Sequence, residues 1–150
     1  MVPKKRVLFV CTGNSARSQI AEGLLRHISK GEVEAYSAGT EPLQVNPLAV
    51  RVMAEAGVDI SSQRSKSVAT FADQSFDFVI TVCDRAKEKC PRWPGQVDYI
   101  HWSIDDPARL AGPEDERIRA FRKARDELRQ RITLFLLANR IGSLSGTHAR

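Results

Sequence analysis

A short apolar run at residues 7–10 leads directly into a glycine-containing loop and then into a segment with helical periodicity. The run has β-branched residues at two positions and no polar alternation, which is typical of a strand buried on both faces of a sheet. From residue 17 to residue 29, apolar side chains recur every four positions and predict an amphipathic helix that stops at Gly31. Strand, loop and helix in this order form the first unit of a parallel α/β sheet.

Strand-like and helix-like segments keep alternating along the rest of the chain. Asn46 and Pro47 suit the cap and the first residue of a helix that Gly57 ends. Further strands are predicted at 33–37, 78–82 and 97–100, the last at a sheet edge, and further helices at 84–89 and 114–139. We therefore predict the α/β class, with a single domain that has a four-stranded parallel sheet and helices on both faces. The domain is expected at residues 1–141, followed by a disordered polar tail at 142–150.

Three residues with reactive or charged side chains fall just after predicted strands. Cys11 follows the first strand, Cys83 the third and Asp106 the fourth. Ligands of parallel sheets bind beyond the carboxyl ends of the strands, so these residues are expected to surround one site.

The loop at residues 11–17 has the composition of an anion-binding loop. Backbone N–H groups and the positive end of a helix dipole converge where a loop enters a helix. Gly13 removes a side chain where the backbone must curl around the ligand, and Asn14 tolerates a left-handed conformation. Arg17 supplies a planar charged fork that suits two oxygens of a tetrahedral oxyanion. The candidate binding residues are Thr12, Gly13, Asn14, Ser15, Ala16, Arg17 and Ser18.

Cys11 is the candidate nucleophile of this loop. The positive field of the loop predicts a lowered pKa for its thiol, and hence a thiolate at neutral pH, with Ser18 donating a hydrogen bond to the sulfur. Taken singly, a buried Cys is often a small hydrophobic residue, and an Arg at a helix start is often a solvated charge. The joint arrangement of strand, Cys, Gly, Asn, Ser, Arg and helix favours the catalytic interpretation.

Composition and charge argue against several classes of function. Hydrophobic residues make up 42% of the chain and charged residues 27%, the balance of a soluble globular protein. No apolar run approaches the roughly 18 residues that span a bilayer, and no signal-peptide core is seen, so we expect a cytoplasmic protein without membrane contact. The net charge of +5 comes from basic residues scattered among acidic ones, which argues against nucleic-acid binding but favours an anionic substrate.

The cysteine count indicates thiol chemistry. Three cysteines cannot all pair with one another, and neither they nor the three histidines have the spacing of a metal site, so no metal is expected. Cys83 and Cys90 lie seven positions apart across a helix-forming stretch that Pro91 ends. In a helix their Cα atoms would stand about 10 Å apart, beyond the roughly 7 Å limit for a disulfide. A bond between them therefore requires the stretch to unwind.

Residues 11–18 read Cys-Thr-Gly-Asn-Ser-Ala-Arg-Ser. This motif resembles the signature of the low-molecular-weight protein tyrosine phosphatase superfamily, a Cys, five residues and an Arg. The resemblance extends through residues 37–39, 46–47 and 106–107, and so covers nearly the whole chain. It implies the fold of that superfamily and a general-acid role for Asp106, since a partly desolvated carboxyl near an anion keeps its proton more readily. By itself, the Asp-Asp-Pro sequence at 105–107 is more typical of a plain turn.

Phosphatases and reductases of this superfamily both begin with thiolate attack on a tetrahedral oxyanion, so the other two cysteines decide between them. Considered alone, Cys83 and Cys90 are as well explained by a structural interpretation as by a redox pair. In the structural interpretation Cys83 caps a buried strand and Cys90 has no role. The spacing of Cys83, Cys90 and Pro91, together with His-Trp-Ser-Ile-Asp-Asp-Pro-Ala at 101–108, resembles the arsenate reductases of the thioredoxin-coupled class. Ala108 stands where the tyrosine phosphatases usually have Tyr, and no aromatic run follows the second strand. A phosphatase acting on phosphotyrosine or small esters is the alternative, and a non-catalytic anion sensor the third hypothesis.

The resemblance implies a three-cysteine relay that reduces arsenate to arsenite. Cys11 attacks arsenate, held by Arg17, while Asp106 protonates the departing oxygen. Cys83 then attacks Cys11 and releases arsenite, Cys90 attacks Cys83, and thioredoxin reduces the resulting disulfide. Phosphate or sulfate is expected to fit the same loop. The cysteines supply the electrons, so no cofactor is implied, and we expect a monomer because no sizeable apolar patch can be inferred.

Some members of this class bind a monovalent cation beside the loop, through residues resembling Asn14, Glu22 and Ser37 and an Asp near position 66. Here that position is Lys66. Its ammonium group would replace the ion and make the enzyme indifferent to potassium; a plain surface lysine is an equally good interpretation of the sequence.

Overall fold

Four parallel strands form one sheet in a computed structural model that describes residues 3–141. The strand order is β2-β1-β3-β4, with β1 at Lys5–Cys11, β2 at Val33–Gly39, β3 at Phe78–Thr81 and β4 at Asp98–His101. Residues 7–10 of the central strand β1 are fully buried, as an unbroken apolar run predicts. The predicted four-stranded parallel sheet, with its last strand at an edge, is confirmed. The predicted tail, 142–150, lies outside the described residues.

Within residues 3–141, four α-helices connect or follow the strands, and each agrees with the sequence prediction to within two residues at either end. They are α1 at Arg17–Ile28, α2 at Pro47–Glu55, α3 at Asp84–Lys89 and α4 at Glu114–Ala138. Two short 3-10 helices, Val68–Phe71 and Pro107–Arg109, were not predicted, because one turn leaves no periodicity to detect. No helix in the described part of the chain is long and apolar enough to cross a bilayer.

Helices cover both faces of the sheet. The connections from β1 to β2 and from β3 to β4 run in opposite directions across the sheet, so right-handed crossovers place α1 and α3 on opposite faces. α4 packs against α1 and closes the core on that face with Ile118, Phe121, Leu128 and Ile132. The carboxyl ends of all four parallel strands lie at one edge of the sheet, and Cys11, Cys83 and Asp106 lie at or after three of them.

Candidate active site

The loop at residues 11–16 turns its carbonyl groups outward. The carbonyl oxygens of Cys11, Thr12 and Gly13 accept hydrogen bonds of 2.7–3.1 Å from backbone N–H groups in the segment that follows β2. The backbone N–H groups of Gly13, Ser15 and Ala16 have no acceptor among residues 3–141, and Ala16 caps α1 without a side-chain hydrogen bond. These N–H groups are therefore available to an anion at the start of α1.

Asn14 holds the loop in shape from the inside. It is fully buried and has the left-handed φ of 48° that the sequence suggested it would tolerate. Its Nδ2 donates to Ser18 Oγ at 2.8 Å, and its Oδ1 accepts from the backbone N–H of Lys66 at 2.8 Å. Its carbonyl accepts from Gln19 Nε2 at 3.0 Å and from Ser65 Oγ at 2.7 Å. Sequence reasoning missed Gln19 and Ser65, which carry no motif.

Gly39, at the end of β2, is the glycine that this loop requires. A Cβ at Gly39 would lie 2.6 Å from the Thr12 carbonyl oxygen and 2.9 Å from the Asn14 backbone nitrogen. At Gly13 a Cβ would lie 3.5 Å from Leu43 Cδ1, an ordinary contact. The loop therefore packs directly on the strand and leaves no room for a side chain at Gly39, whereas the role of Gly13 in letting the backbone curl around the ligand stays a prediction.

The sulfur of Cys11 lies among hydrogen-bond donors. The backbone N–H of Asn14 donates to it at 3.1 Å, and Ser18 Oγ is 2.8 Å away. Because Ser18 Oγ accepts from the Asn14 side chain, its own proton is free to point at the sulfur, as predicted. Burial nevertheless raises the pKa of the Cys11 thiol and outweighs Ser18 and Arg17, which lower it. The predicted lowering of this pKa is wrong, because the residue is only 3% exposed and desolvation disfavours its charged form.

Replacing Ser18 by Ala removes a donor to the Cys11 sulfur and is expected to raise the pKa of the thiol further. Below the pKa the variant then holds less thiolate, so alkylation of Cys11 by iodoacetamide at pH 7 slows by roughly three- to tenfold. The deficit shrinks as the pH rises through the pKa of the variant. The measurement uses a background in which Cys83 and Cys90 are replaced by Ala, and an unchanged pH profile would contradict it.

Arg17 and Asp106 face each other beside the loop. Arg17 is the first residue of α1; its Nη1 donates to the Ile104 carbonyl at 2.8 Å, and its Nη2 lies 3.8 Å from Asp106 Oδ2. Asp106 Oδ1 accepts from the backbone N–H of Ala108 at 2.9 Å and so begins the 3-10 helix. The Asp106 side chain is 41% exposed, so its carboxyl group is only partly withdrawn from solvent beside the Arg17 guanidinium, and its general-acid role stays a prediction.

Cys83 lies two residues beyond β3 and contacts the loop. Its Sγ is 3.3 Å from Oγ1 of Thr12, the neighbour of Cys11 in the chain. The same sulfur caps α3 by accepting the backbone N–H of Ala86 at 3.4 Å. Cys11 and Cys83 are both buried and free. The tertiary structure thus brings a second thiol to the anion loop.

Cys90 lies at the other end of α3 and is also free. Its Sγ donates to the Pro91 carbonyl at 3.5 Å and lines a cleft of about 240 Å³ with Lys87, Arg92 and His101. Burial raises the pKa of this thiol to about 11. Cys90 is therefore a protonated thiol at neutral pH, separated from Cys83 by a folded helix.

A buried carboxylate, Glu22, lies behind the loop in contact with cationic side chains. Ser37 Oγ donates to its Oε1 at 2.5 Å, and Arg26 Nη2 donates to its Oε2 at 2.8 Å. Lys66 Nζ lies 3.9 Å from Oε1; burial lowers the pKa of Lys66, whereas Glu22 raises it. Asn14, Glu22, Ser37 and Lys66 are therefore neighbours in space. No group of three or more His, Cys, Asp or Glu within residues 3–141 is arranged to hold a metal ion.

Comparison with known proteins gives the family. A family model described as low molecular weight phosphotyrosine protein phosphatase matches residues 6–143. The chain belongs to this family. An arsenate reductase of Shouchella clausii is 46% identical over 132 residues, which cover 88% of this chain and 95% of that protein.

Solved structures agree with this relationship. An arsenate reductase in its phosphate-binding state is 32% identical, with a TM-score of 0.76, and the match covers 89% of this chain and 98% of that one. A thioredoxin-dependent arsenate reductase of Corynebacterium glutamicum is 33% identical, with a TM-score of 0.63, over 89% of this chain and 64% of that one. The resemblance to arsenate reductases predicted from the motifs is confirmed, and so is the low-molecular-weight phosphatase fold.

Proposed function

We propose that this protein reduces arsenate to arsenite by a relay through Cys11, Cys83 and Cys90, with thioredoxin as the reductant. The observation that carries the proposal is the 3.3 Å contact between Cys83 Sγ and Thr12 Oγ1, which puts a second buried thiol against the anion loop. A phosphatase needs only water to discharge its covalent intermediate, whereas a reductase needs a thiol at this place. The arsenate reductases among the relatives, one of them thioredoxin-dependent, support the proposal.

In the first step Cys11 displaces one oxygen of arsenate. The free N–H groups of the loop and the Arg17 guanidinium bind the other oxygens. The Cys11 thiolate forms a bond to arsenic, the bond from arsenic to one hydroxyl group breaks, and this hydroxyl leaves as water with a proton from Asp106. Phosphate and sulfate are tetrahedral anions too and compete for the loop.

The second and third steps transfer electrons between sulfurs. Cys83 attacks Cys11 Sγ; a disulfide forms while the sulfur–arsenic bond breaks, and its electron pair stays on arsenic, which leaves as arsenite. Cys90 then loses its thiol proton to water and attacks Cys83; a Cys83–Cys90 bond forms, the Cys11–Cys83 bond breaks, and Cys11 leaves as the thiolate. This exchange requires α3 to unwind, because Cα atoms seven helical residues apart stand about 10 Å from each other. The two thiols of thioredoxin reduce the Cys83–Cys90 disulfide and complete the cycle.

Arsenate-dependent oxidation of NADPH in the presence of thioredoxin and thioredoxin reductase tests this function. We expect turnover that requires arsenate, thioredoxin and Cys11. Absence of this turnover together with strong hydrolysis of aryl phosphates would contradict it and favour the phosphatase. An anion sensor would instead keep its full function when Cys11 is replaced by Ser.

Hydrolysis of small phosphate esters is the second candidate function, because the family model describes phosphatases and the loop suits phosphate equally well. The segment after β2 that flanks the loop, residues 40–46, contains no aromatic side chain, and its Leu43 is exposed. A phosphotyrosine ring would find no aromatic partner on that segment. Weak ester hydrolysis is therefore expected as a side activity of the loop.

Lys66 takes the place of a monovalent cation in this proposal. Its Nζ faces buried Glu22 at 3.9 Å, and its backbone N–H holds Asn14 of the loop. We expect the wild-type reductase rate to change by less than about 1.5-fold when 100 mM KCl replaces NaCl. In Lys66→Asp, removal of the ammonium leaves two carboxylates together, and potassium is expected to restore the rate about fivefold. Two results would contradict this role. One is activation of the wild type by potassium; the other is a Lys66→Asp variant that potassium does not activate while it does activate the Lys66→Gln control.

We also propose that the protein acts as a monomer in the cytoplasm, where the thioredoxin system keeps thiols reduced. All three of its cysteines are free, which suits that compartment. Size-exclusion chromatography of the reduced protein, with light scattering on the eluted peak, is expected to give the mass of one chain. A dimer mass would contradict the proposal of a monomer.

A further inference from the structure

One polar network ties the first turn of α3 to the edge strand β4. His101, the last residue of β4, has its Nε2 2.8 Å from Asp84 Oδ1 and its Nδ1 2.7 Å from Thr81 Oγ1. Ser103 Oγ donates to the same Asp84 oxygen at 3.0 Å. When the Thr81 hydroxyl donates to Nδ1, the Nε2–H is left to donate to Asp84, so a neutral imidazole satisfies both contacts.

Asp84 is the residue after Cys83, so this network acts on the helix that separates the two cysteines. His101 and Ser103 together lower the pKa of the Asp84 carboxyl, and His101 is the larger cause. The other ion pairs of α3 run from Arg85 and Lys89 to Glu41, and the side chains they join are more than half exposed, as is Asp84 at 78%. What distinguishes the Asp84 contacts is that they join α3 to His101, whose side chain is only 20% exposed, and to a second donor, Ser103.

The cleft beside α3 lies next to this network. His101 and Thr81 line this cleft together with Cys90. The cleft therefore leaves space for Cys90 to move on the side of α3 that faces β4. On the far side, the chain is anchored again at Trp93, whose Nε1 donates to the Phe71 carbonyl at 2.8 Å. The segment that must rearrange is thus bounded by Cys83 at one end and Trp93 at the other.

We propose that His101 is a positioning residue for the Cys83–Cys90 exchange, which holds α3 in its helical, dithiol form through Asp84. The proposal rests on the relay proposed above. Disulfide formation unwinds α3 and breaks the Asp84 contacts, so these contacts stabilise the dithiol form only. Removing them makes the pair easier to oxidise and harder for thioredoxin to reduce.

The midpoint potential of the Cys83–Cys90 pair tests the proposal. A Cys11→Ser background leaves only these two cysteines, and equilibration with dithiothreitol redox buffers then reports one disulfide. We expect His101→Ala to shift the equilibrium towards the disulfide about fivefold, which is about 20 mV more negative at about 30 mV per tenfold. His101→Gln, whose Nε2 can still donate to Asp84, is expected to keep at least half of the effect of His101.

Two further variants separate positioning from general support of the fold. His27 on α1 is exposed and makes no side-chain hydrogen bond among the described residues, so His27→Ala is the matched control and should leave the potential unchanged. In a double-mutant cycle, His101→Ala should add almost nothing once Asp84 is replaced by Ala.

An unchanged potential in His101→Ala, even with a lower melting temperature, would overturn the role of His101 but leave the relay intact. Equal shifts in His101→Ala and His27→Ala would overturn it as well. If the parent background forms no Cys83–Cys90 disulfide at all, the relay itself fails, and the proposal fails with it.

Discussion

Replacing Cys83 by Ser is expected to abolish arsenate reduction, by about a thousandfold or more, while aryl phosphate hydrolysis stays within about threefold of wild type. The anion loop, Cys11 and Asp106 are untouched by this change, so formation of a covalent adduct and its hydrolysis by water remain possible. A serine oxygen, however, cannot form the disulfide that takes arsenic from Cys11. Parallel assays with arsenate and with an aryl phosphate measure the two activities on the same preparation.

Cys90→Ser is the matched control for this variant, because it leaves the Cys83 contact with Thr12 in place. It is expected to release about one arsenite per protein molecule in a single burst and then stop, with Cys11 and Cys83 joined. Cys83→Ser should release none. Continued turnover in Cys83→Ser, or the same yield of arsenite from both variants, would contradict the relay.

Replacing Gly39 by Ala is expected to disrupt the loop from outside the binding residues. Its Cβ would lie 2.6 Å from the Thr12 carbonyl oxygen, and the collision is with backbone rather than with a flexible side chain. Overpacking of this kind typically costs about 1–3 kcal/mol in the free energy of unfolding. A loop displaced by about 1 Å is expected to lose about a hundredfold in kcat/KM for arsenate and for aryl phosphate alike.

Chemical denaturation and both activity assays check this prediction. Gly13→Ala is the control for stability, since its Cβ would find only ordinary contacts, and its free energy of unfolding should fall by less than about 1 kcal/mol. A Gly39→Ala protein with wild-type stability and wild-type activity would show that the strand and the loop have room to separate.

Much of the fold is predictable because the signals that carry it are local. The apolar run at 7–10 and the spacing of apolar residues in α1 and α4 involve residues that are close together in the chain. The strand or helix that contains them must bury its apolar face. The Asn46 side chain caps α2 by accepting a hydrogen bond from the backbone N–H of Leu48, two residues along the chain. The two 3-10 helices escaped prediction because each is a single turn whose shape depends on Ser67 or Asp106 as a cap.

The candidate site is predictable only in part. The sequence of the loop indicates an anion site with a thiol, and it indicates that Asn14 tolerates the left-handed conformation that it is found to adopt. It does not indicate Gln19 and Ser65, which hold the Asn14 carbonyl, because their contacts join residues that no periodicity connects. The same limit explains why the sequence did not indicate the close approach of Gly39 to the loop backbone.

By itself, the sequence determined the order of strands and helices, the anion loop that begins with Cys11 and the helical spacing between Cys83 and Cys90. Only the tertiary structure decided that Cys83 reaches the loop at Thr12, that Lys66 faces buried Glu22, and that burial raises the pKa of the Cys11 thiol. The reason is physical: helix and strand propensities depend on near neighbours in the chain. Desolvation and contacts between thiols or charges depend on which distant segments the sheet brings together.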